Sequence, residues 1–204
     1  LAAAHGARLR MEVAGGKSKE FTGVVHRDLK PQNILLARDG NAWIPKVADF
    51  GLSKAFESAG LTDHTMPGQI AGTPIYWPRE QITHYQFLHP ATDVFSIAAV
   101  FYEALTGKPV REGFEEMFAK CQEQKRHPGI ADFMRVIAGN PAIPIRQRQS
   151  AIPSPVAAVI DRALREAEVS GDPAKMRREL AKLRYEDAAD FRAALASGLT
   201  KVRA

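Results

Sequence analysis

Between the apolar flanks Val24-Val25 and Ile34-Leu35, the chain reads His26-Arg27-Asp28-Leu29-Lys30-Pro31-Gln32-Asn33. An acid, a cation and an amide are thereby set at fixed short offsets. The carboxylate of Asp28 can accept or orient the proton of a hydroxyl group, and because a carboxylate is a weak base, orientation counts as much as proton removal. Lys30 supplies positive charge two positions on. Asn33 offers an amide oxygen, and Asp49 a carboxylate, of the kind that binds a hard cation. Taken one at a time, such Asp and Asn residues most often cap turns.

These side chains need elements to hold them. Ile34-Leu35-Leu36 and Ile44 to Ala48 read as short strands around Ala37-Arg38-Asp39-Gly40-Asn41-Ala42, and Asp-Gly in so short a polar link predicts a hairpin. The hairpin sets the Asp28 loop beside Asp49. Asp49-Phe50-Gly51 then opens an irregular stretch to Glu80, rich in Gly, Ser, Thr and Pro, of the length that functional loops have. Beyond it the chain is helical. Asp93 to Leu105 is apolar nearly all round, which predicts a helix buried on every side, with Gly107 and Pro109 as its stop.

Phe114, Met117, Phe118 and Cys121 recur at helical spacing, as do Val156, Val159, Ile160 and Ala163. Asn140 to Pro155 is proline-rich and reads as an extended connector. Further helices are expected over Pro173 to Leu183 and through Ala188, Phe191 and Leu195. Leu1 to His5 reads as the end of a helix, followed from Gly6 to Gly23 by a connection without clear period.

With 204 residues and 45% apolar content, the chain can bury a real core. Its net charge of +5 comes from basic residues scattered among 23 acidic ones, a mild bias with no nucleic-acid signature. The basic run Lys175, Arg177, Arg178, Lys182 and Arg184 reads as a solvated helix face. Cys121 is the single cysteine, so no internal disulfide forms and a reducing, cytoplasmic setting is expected. The longest apolar run, Val94 to Tyr102, falls short of the roughly 18 residues of a membrane span. Gly16-Lys17-Ser18 looks like the tail of a phosphate-binding loop, but Met11 stands where that motif needs glycine. No histidine pair has zinc-site spacing.

The run His-Arg-Asp-x-Lys-x-x-Asn resembles the catalytic loop of eukaryotic-type Ser/Thr protein kinases, and Asp49-Phe50-Gly51 follows at the spacing of that family. The resemblance implies a mainly α fold with a small β-hairpin, the larger lobe of a two-lobed α+β parent. It also implies protein phosphorylation with ATP and Mg²⁺. Asp28 would handle the substrate hydroxyl, and Lys30 would lie by the transferred phosphoryl group. Asn33 and Asp49 would hold the metal. Lys30 at its offset is similar to the Ser/Thr class.

Gly72-Thr73-Pro74-Ile75-Tyr76-Trp77-Pro78-Arg79-Glu80 is similar to the Gly-Thr-x-x-Tyr-x-Ala-Pro-Glu end of the family's activation segment, with Pro78-Arg79 in place of Ala-Pro. Thr73 matches the threonine that contacts the catalytic aspartate and lysine. Glu80 needs a cation if buried; the resemblance implies Arg184 as that cation, with Arg177 the competing partner. Asp93-Val94-Phe95-Ser96 resembles the start of the family's central helix, where Asp93 would bind the catalytic-loop backbone and hold His26 and Arg27. Arg27 implies regulation by a phosphate on the activation segment, with Thr62 and Thr65 the first acceptors and Ser58 behind them.

The implied organisation assigns 1–23 to a helix end and an insertion. It assigns 24–51 to the catalytic loop, hairpin and Asp49-Phe50-Gly51, 52–80 to the activation segment, and 91–204 to a helical subdomain. Nothing in the chain resembles the family's smaller lobe, its glycine-rich loop or its strand lysine. That lobe is expected upstream of Leu1, in a parent that could be membrane-anchored elsewhere. The expected partners are a protein substrate and that lobe, with no nucleic acid and no membrane segment in this chain. The alternative is a non-catalytic lobe of the same kind acting as a binding or scaffold module.

Overall fold

The computed structural model describes residues 1–13, 17–50, 74–84 and 87–203. Expectations on Gly51, Ser58, Thr62, Thr65 and Thr73 lie outside the described residues.

The short helix α1 (Ala2–His5) leads to two antiparallel hairpins, β1 (Arg8–Val13) with β2 (Lys17–Thr22), and β3 (Ile34–Asp39) with β4 (Ala42–Val47). The loop bearing Asp28 lies between them and ends in a 3₁₀ turn, Pro31–Asn33. The first hairpin corrects the expectation of an irregular connection over Gly6 to Gly23. Arg8-Leu9-Arg10-Met11-Glu12-Val13 alternates polar and apolar, which is the period of a strand, and the Gly15-Gly16-Lys17-Ser18 run that follows in the sequence obscured it. In the second hairpin Asp39 pairs with Ala42, so the turn residues are Gly40-Asn41, with Gly40 at φ +57°.

Helices make up the rest: α2 (Arg79–Thr83), α3 (Pro90–Thr106), α4 (Phe114–Glu123), α5 (Ile130–Gly139), α6 (Ile145–Arg148), α7 (Ser154–Ala163), α8 (Pro173–Leu183) and α9 (Ala188–Arg203). The periodicity missed α5, whose buried face is Phe133, Val136 and Ile137. The connector from Asn140 to Pro155 contains α6, seated by the fully buried Ile145.

The core gathers around α3. Val94, Phe95, Ala98, Ala99 and Tyr102 pack with Ile160 and Ala163 of α7 and Phe191 of α9. Pro90 opens α3, where a missing N–H costs nothing. Gly107 closes it at φ +68°, its N–H donating to the Glu103 carbonyl. The expectation of burial on every side holds only for the first part of α3, since Phe101 and Leu105 near its end are 37% and 48% exposed. Phe118 of α4, expected inward, is also exposed at 39% and meets Phe133 only edge-on. No helix among the described residues is long and apolar enough to cross a membrane.

Candidate functional site

The loop from Val24 to Asn33 is held from several directions. Gly23, at φ +84°, admits the chain past α1, because a side chain there would meet the His5 carbonyl at 2.9 Å. His26 is fully buried, and its Nδ1 accepts from the Asp28 N–H at 3.3 Å. Nε2 therefore carries the proton and donates to the Ala48 carbonyl at 2.8 Å. The His26 ring lies 4.7 Å, centroid to centroid, from Phe50. Arg27 sits at φ +70°, a region a non-glycine residue holds only when its surroundings impose it.

Asp93, at the first turn of α3, helps impose that conformation. Its Oδ2 accepts from the His26 N–H at 2.6 Å, and its Oδ1 accepts from the Arg27 N–H at 2.9 Å. A third donor comes from His5, whose Nδ1 accepts from the Ala188 N–H at 3.1 Å while Nε2 donates to Asp93 Oδ2 at 3.0 Å. On the other side, Gln81 Nε2 donates to the Arg27 carbonyl at 2.5 Å. Asp93 is 1% exposed, and replacing it with alanine leaves buried N–H groups without acceptors. Asp93→Ala is expected to cost about 2–4 kcal/mol, read as a lower urea midpoint at unchanged slope.

The loop gathers its polar groups within a few ångströms. Lys30 Nζ lies 2.9 Å from Asp28 Oδ2. Asn33 Nδ2 donates to the Asp28 carbonyl at 2.7 Å and to Asp28 Oδ2 at 3.3 Å. With its nitrogen so committed, Asn33 presents Oδ1 as its remaining polar atom. The Asn33 carbonyl accepts from the Ala48 N–H at 2.9 Å, so the loop and the end of β4 are tied one residue before Asp49. Asp49 is exposed, at φ +55°, and its carboxylate has no partner among the described residues. Arg27's guanidinium likewise has none among them.

Several long-range polar contacts fasten the segment from Pro74 to His84. Tyr76 donates its hydroxyl to Glu103 Oε2 at 2.5 Å. Burial, reinforced by that carboxylate, pushes the phenol well above its ordinary pKa. Glu80 and Arg184 form a two-pronged pair, at 2.5 and 3.1 Å, between residues 2% and 0% exposed. Arg177 lies instead on the surface against Glu186 at 3.0 Å. Behind the segment Arg111 pairs with Glu166 at 2.5 Å, and burial presses the Arg111 guanidinium pKa downward while Glu166 opposes it.

Sequence reasoning did not find His5, Gln81, Arg111 or Glu166. Each has a partner dozens of residues away, and no local pattern marks it.

Comparison with known proteins adds to this geometry. Residues 21–169 match the family model described as protein kinase domain. Cysteine-rich receptor-like protein kinase 29 of Arabidopsis thaliana is 44% identical over 90 residues, covering 44% of this chain and 13% of that protein. Serine/threonine-protein kinase PknL of Mycobacterium tuberculosis is 41% identical over 99 residues, covering 48% and 23%. Serine/threonine-protein kinase PkaA of Streptomyces coelicolor is 32% identical over 143 residues, covering 70% and 22%. The matched part of the chain thus spans less than a quarter of each of these relatives.

Proposed function

Because this chain belongs to the protein kinase family, we propose that it is the larger lobe of a serine/threonine protein kinase, which transfers the terminal phosphoryl group of ATP to a protein serine or threonine hydroxyl. The observation that carries this reading is the joining of Asp28, Lys30 and Asn33 in one loop that is tied by Ala48 to the Asp49 end of β4. The names of relatives such as PknL and PkaA support the serine/threonine class, as does Lys30 itself.

Asp28 holds the acceptor hydroxyl and takes its proton as the new oxygen–phosphorus bond forms and the bond to the leaving diphosphate breaks. Lys30, beside that carboxylate, stabilises negative charge on the transferred group. Asn33 Oδ1 and the Asp49 carboxylate are hard oxygen donors with no competing partner among the described residues, and they fit Mg²⁺. A Mg²⁺ held by these two residues would supply charge neutralisation at the phosphate oxygens. The Arg27 guanidinium, with no partner among the described residues, is read as the group that receives a phosphate on Thr62 or Thr65.

The exposed apolar face of the β3–β4 hairpin supports the reading that a second body covers it. Leu35, Leu36 and Trp43 are 56%, 63% and 64% exposed, and a two-stranded hairpin this apolar needs cover. That body is read as the smaller lobe, which supplies the remaining phosphate contacts. Full-length protein given Mg-ATP and serine- or threonine-containing peptides is therefore expected to incorporate phosphate, with chelation of the metal abolishing it. Pure 1–204 is expected to incorporate none. ATP binding without transfer by the full-length protein would refute the reading.

A further inference from the structure

Glu166 and Arg111 form a second buried ion pair that grips the backbone on both sides of Pro78. Arg111 is fully buried and Glu166's side chain is 7% exposed. Arg111 donates through one terminal nitrogen to Glu166 Oε1 at 2.5 Å and through the other to the Trp77 carbonyl at 3.2 Å. The same Glu166 oxygen accepts from the Arg79 N–H at 2.9 Å. That N–H opens α2 and has no partner in its own helix, and Pro78 before it offers no side-chain acceptor.

The grip continues toward Asp28. Two residues past Arg79, Gln81 donates to the Arg27 carbonyl at 2.5 Å, and Arg27 adjoins Asp28. A shift of the Trp77–Arg79 turn is thus carried by one short helix into the backbone of the loop. The neighbouring pair Glu80–Arg184 shares the scaffold, since Arg184 and Arg111 stand 4.9 and 5.0 Å from the Phe95 ring.

We propose that Glu166, braced by Arg111, is a positioning residue for Asp28, acting through the Trp77–Arg79 turn and Gln81. This rests on the kinase reading above and adds a dependence on a residue remote from the chemistry.

The test uses three variants of the full-length protein: Glu166→Gln, the double variant Arg111→Met with Glu166→Leu, and Gln81→Leu. The double variant leaves no unpaired buried charge, so it keeps the fold that a single truncation would endanger. The expected result is a fall in kcat of about tenfold in each, with the KM for ATP unchanged. Adding Gln81→Leu to the double variant is expected to cause no further fall, because both break one linkage. A wild-type kcat in the correctly folded double variant, or effects that multiply, would overturn the proposal.

Amide hydrogen exchange provides a readout independent of activity. Exchange at Arg27 and Asp28 is expected to quicken in Glu166→Gln and in the double variant, and unchanged exchange there overturns the linkage. Quickened exchange in a protein whose wild type transfers no phosphate would uphold the linkage and refute the kinase reading instead.

Discussion

Replacing Asp28 with alanine in the full-length protein is expected to lower kcat by between about 10² and 10⁴-fold, the range over which a positioned acid–base group contributes. The fold should scarcely notice. The loop's shape is held by Asp93 on the His26 and Arg27 N–H groups, by Gln81 on the Arg27 carbonyl and by Ala48 on Asn33. None of these contacts uses the Asp28 carboxylate, whose own partners are Lys30 Nζ and Asn33 Nδ2. The Lys30 pair is partly exposed, so its loss costs under about 1 kcal/mol. Asp28→Asn keeps the size of the side chain and removes only its charge, and it should lose nearly as much rate. Steady-state kinetics beside urea titration separates the two effects. A loss of less than tenfold in both variants would mean that Asp28 is not the group that handles the hydroxyl.

The largest effect on stability is expected at Glu80 and Arg184. Both side chains are almost wholly removed from water, and they are bonded through two pairs of atoms. Removing either one strands the other's charge in the interior, at a cost of about 3–5 kcal/mol. Arg184 also donates to the Arg165 carbonyl at 2.6 Å, so Arg184→Ala frees a further acceptor. Arg177→Ala breaks only an exposed pair with Glu186 and should cost less than about 0.5 kcal/mol. Changing Glu80 and Arg184 together to Leu and Met should recover most of the single-variant loss, because no lone charge remains. Urea midpoints at constant slope report all four variants. If Arg177→Ala proved the more damaging arginine variant, the contact at Glu80 would not be the one that matters for stability.

The parts of the site that could be read along the chain are those whose geometry is local. Asp28, Lys30 and Asn33 lie within one short loop, so their residue types and offsets already state what they can do together. The Gly40 turn and the Gly107 stop were legible for a similar reason, since few residues accept a positive φ. The faces of α7 and α8 followed from spacing, and Pro173–Leu183 emerged with the expected bounds. The first hairpin was legible in principle from its alternation over Arg8 to Val13. The Gly15-Gly16-Lys17-Ser18 run after it outweighed that signal.

Other features have no local trace. Arg184 sat within a basic run that reads as a solvated face; only the family resemblance singled it out as the cation for Glu80, and it is the member of that run with no exposed surface. Arg111 and Glu166 look like ordinary surface charges, and they are separated by more than two helices. His5 looks like the end of an apolar helix and turns out to link Asp93 with the start of α9.

By itself, then, the amino-acid sequence determined the chemical groups of the loop, their order and the helices and turns that carry them. Tertiary structure alone decided which arginine meets Glu80, which nitrogen of His26 and of His5 carries the proton, and that Glu166 meets Arg111 and the Arg79 N–H. The division has a physical cause. Backbone preferences and hydrophobic periodicity act over a few residues and leave their mark on neighbours. A buried charge is satisfied by any opposite charge within about 3 Å, and chain packing chooses among several chemically equivalent candidates.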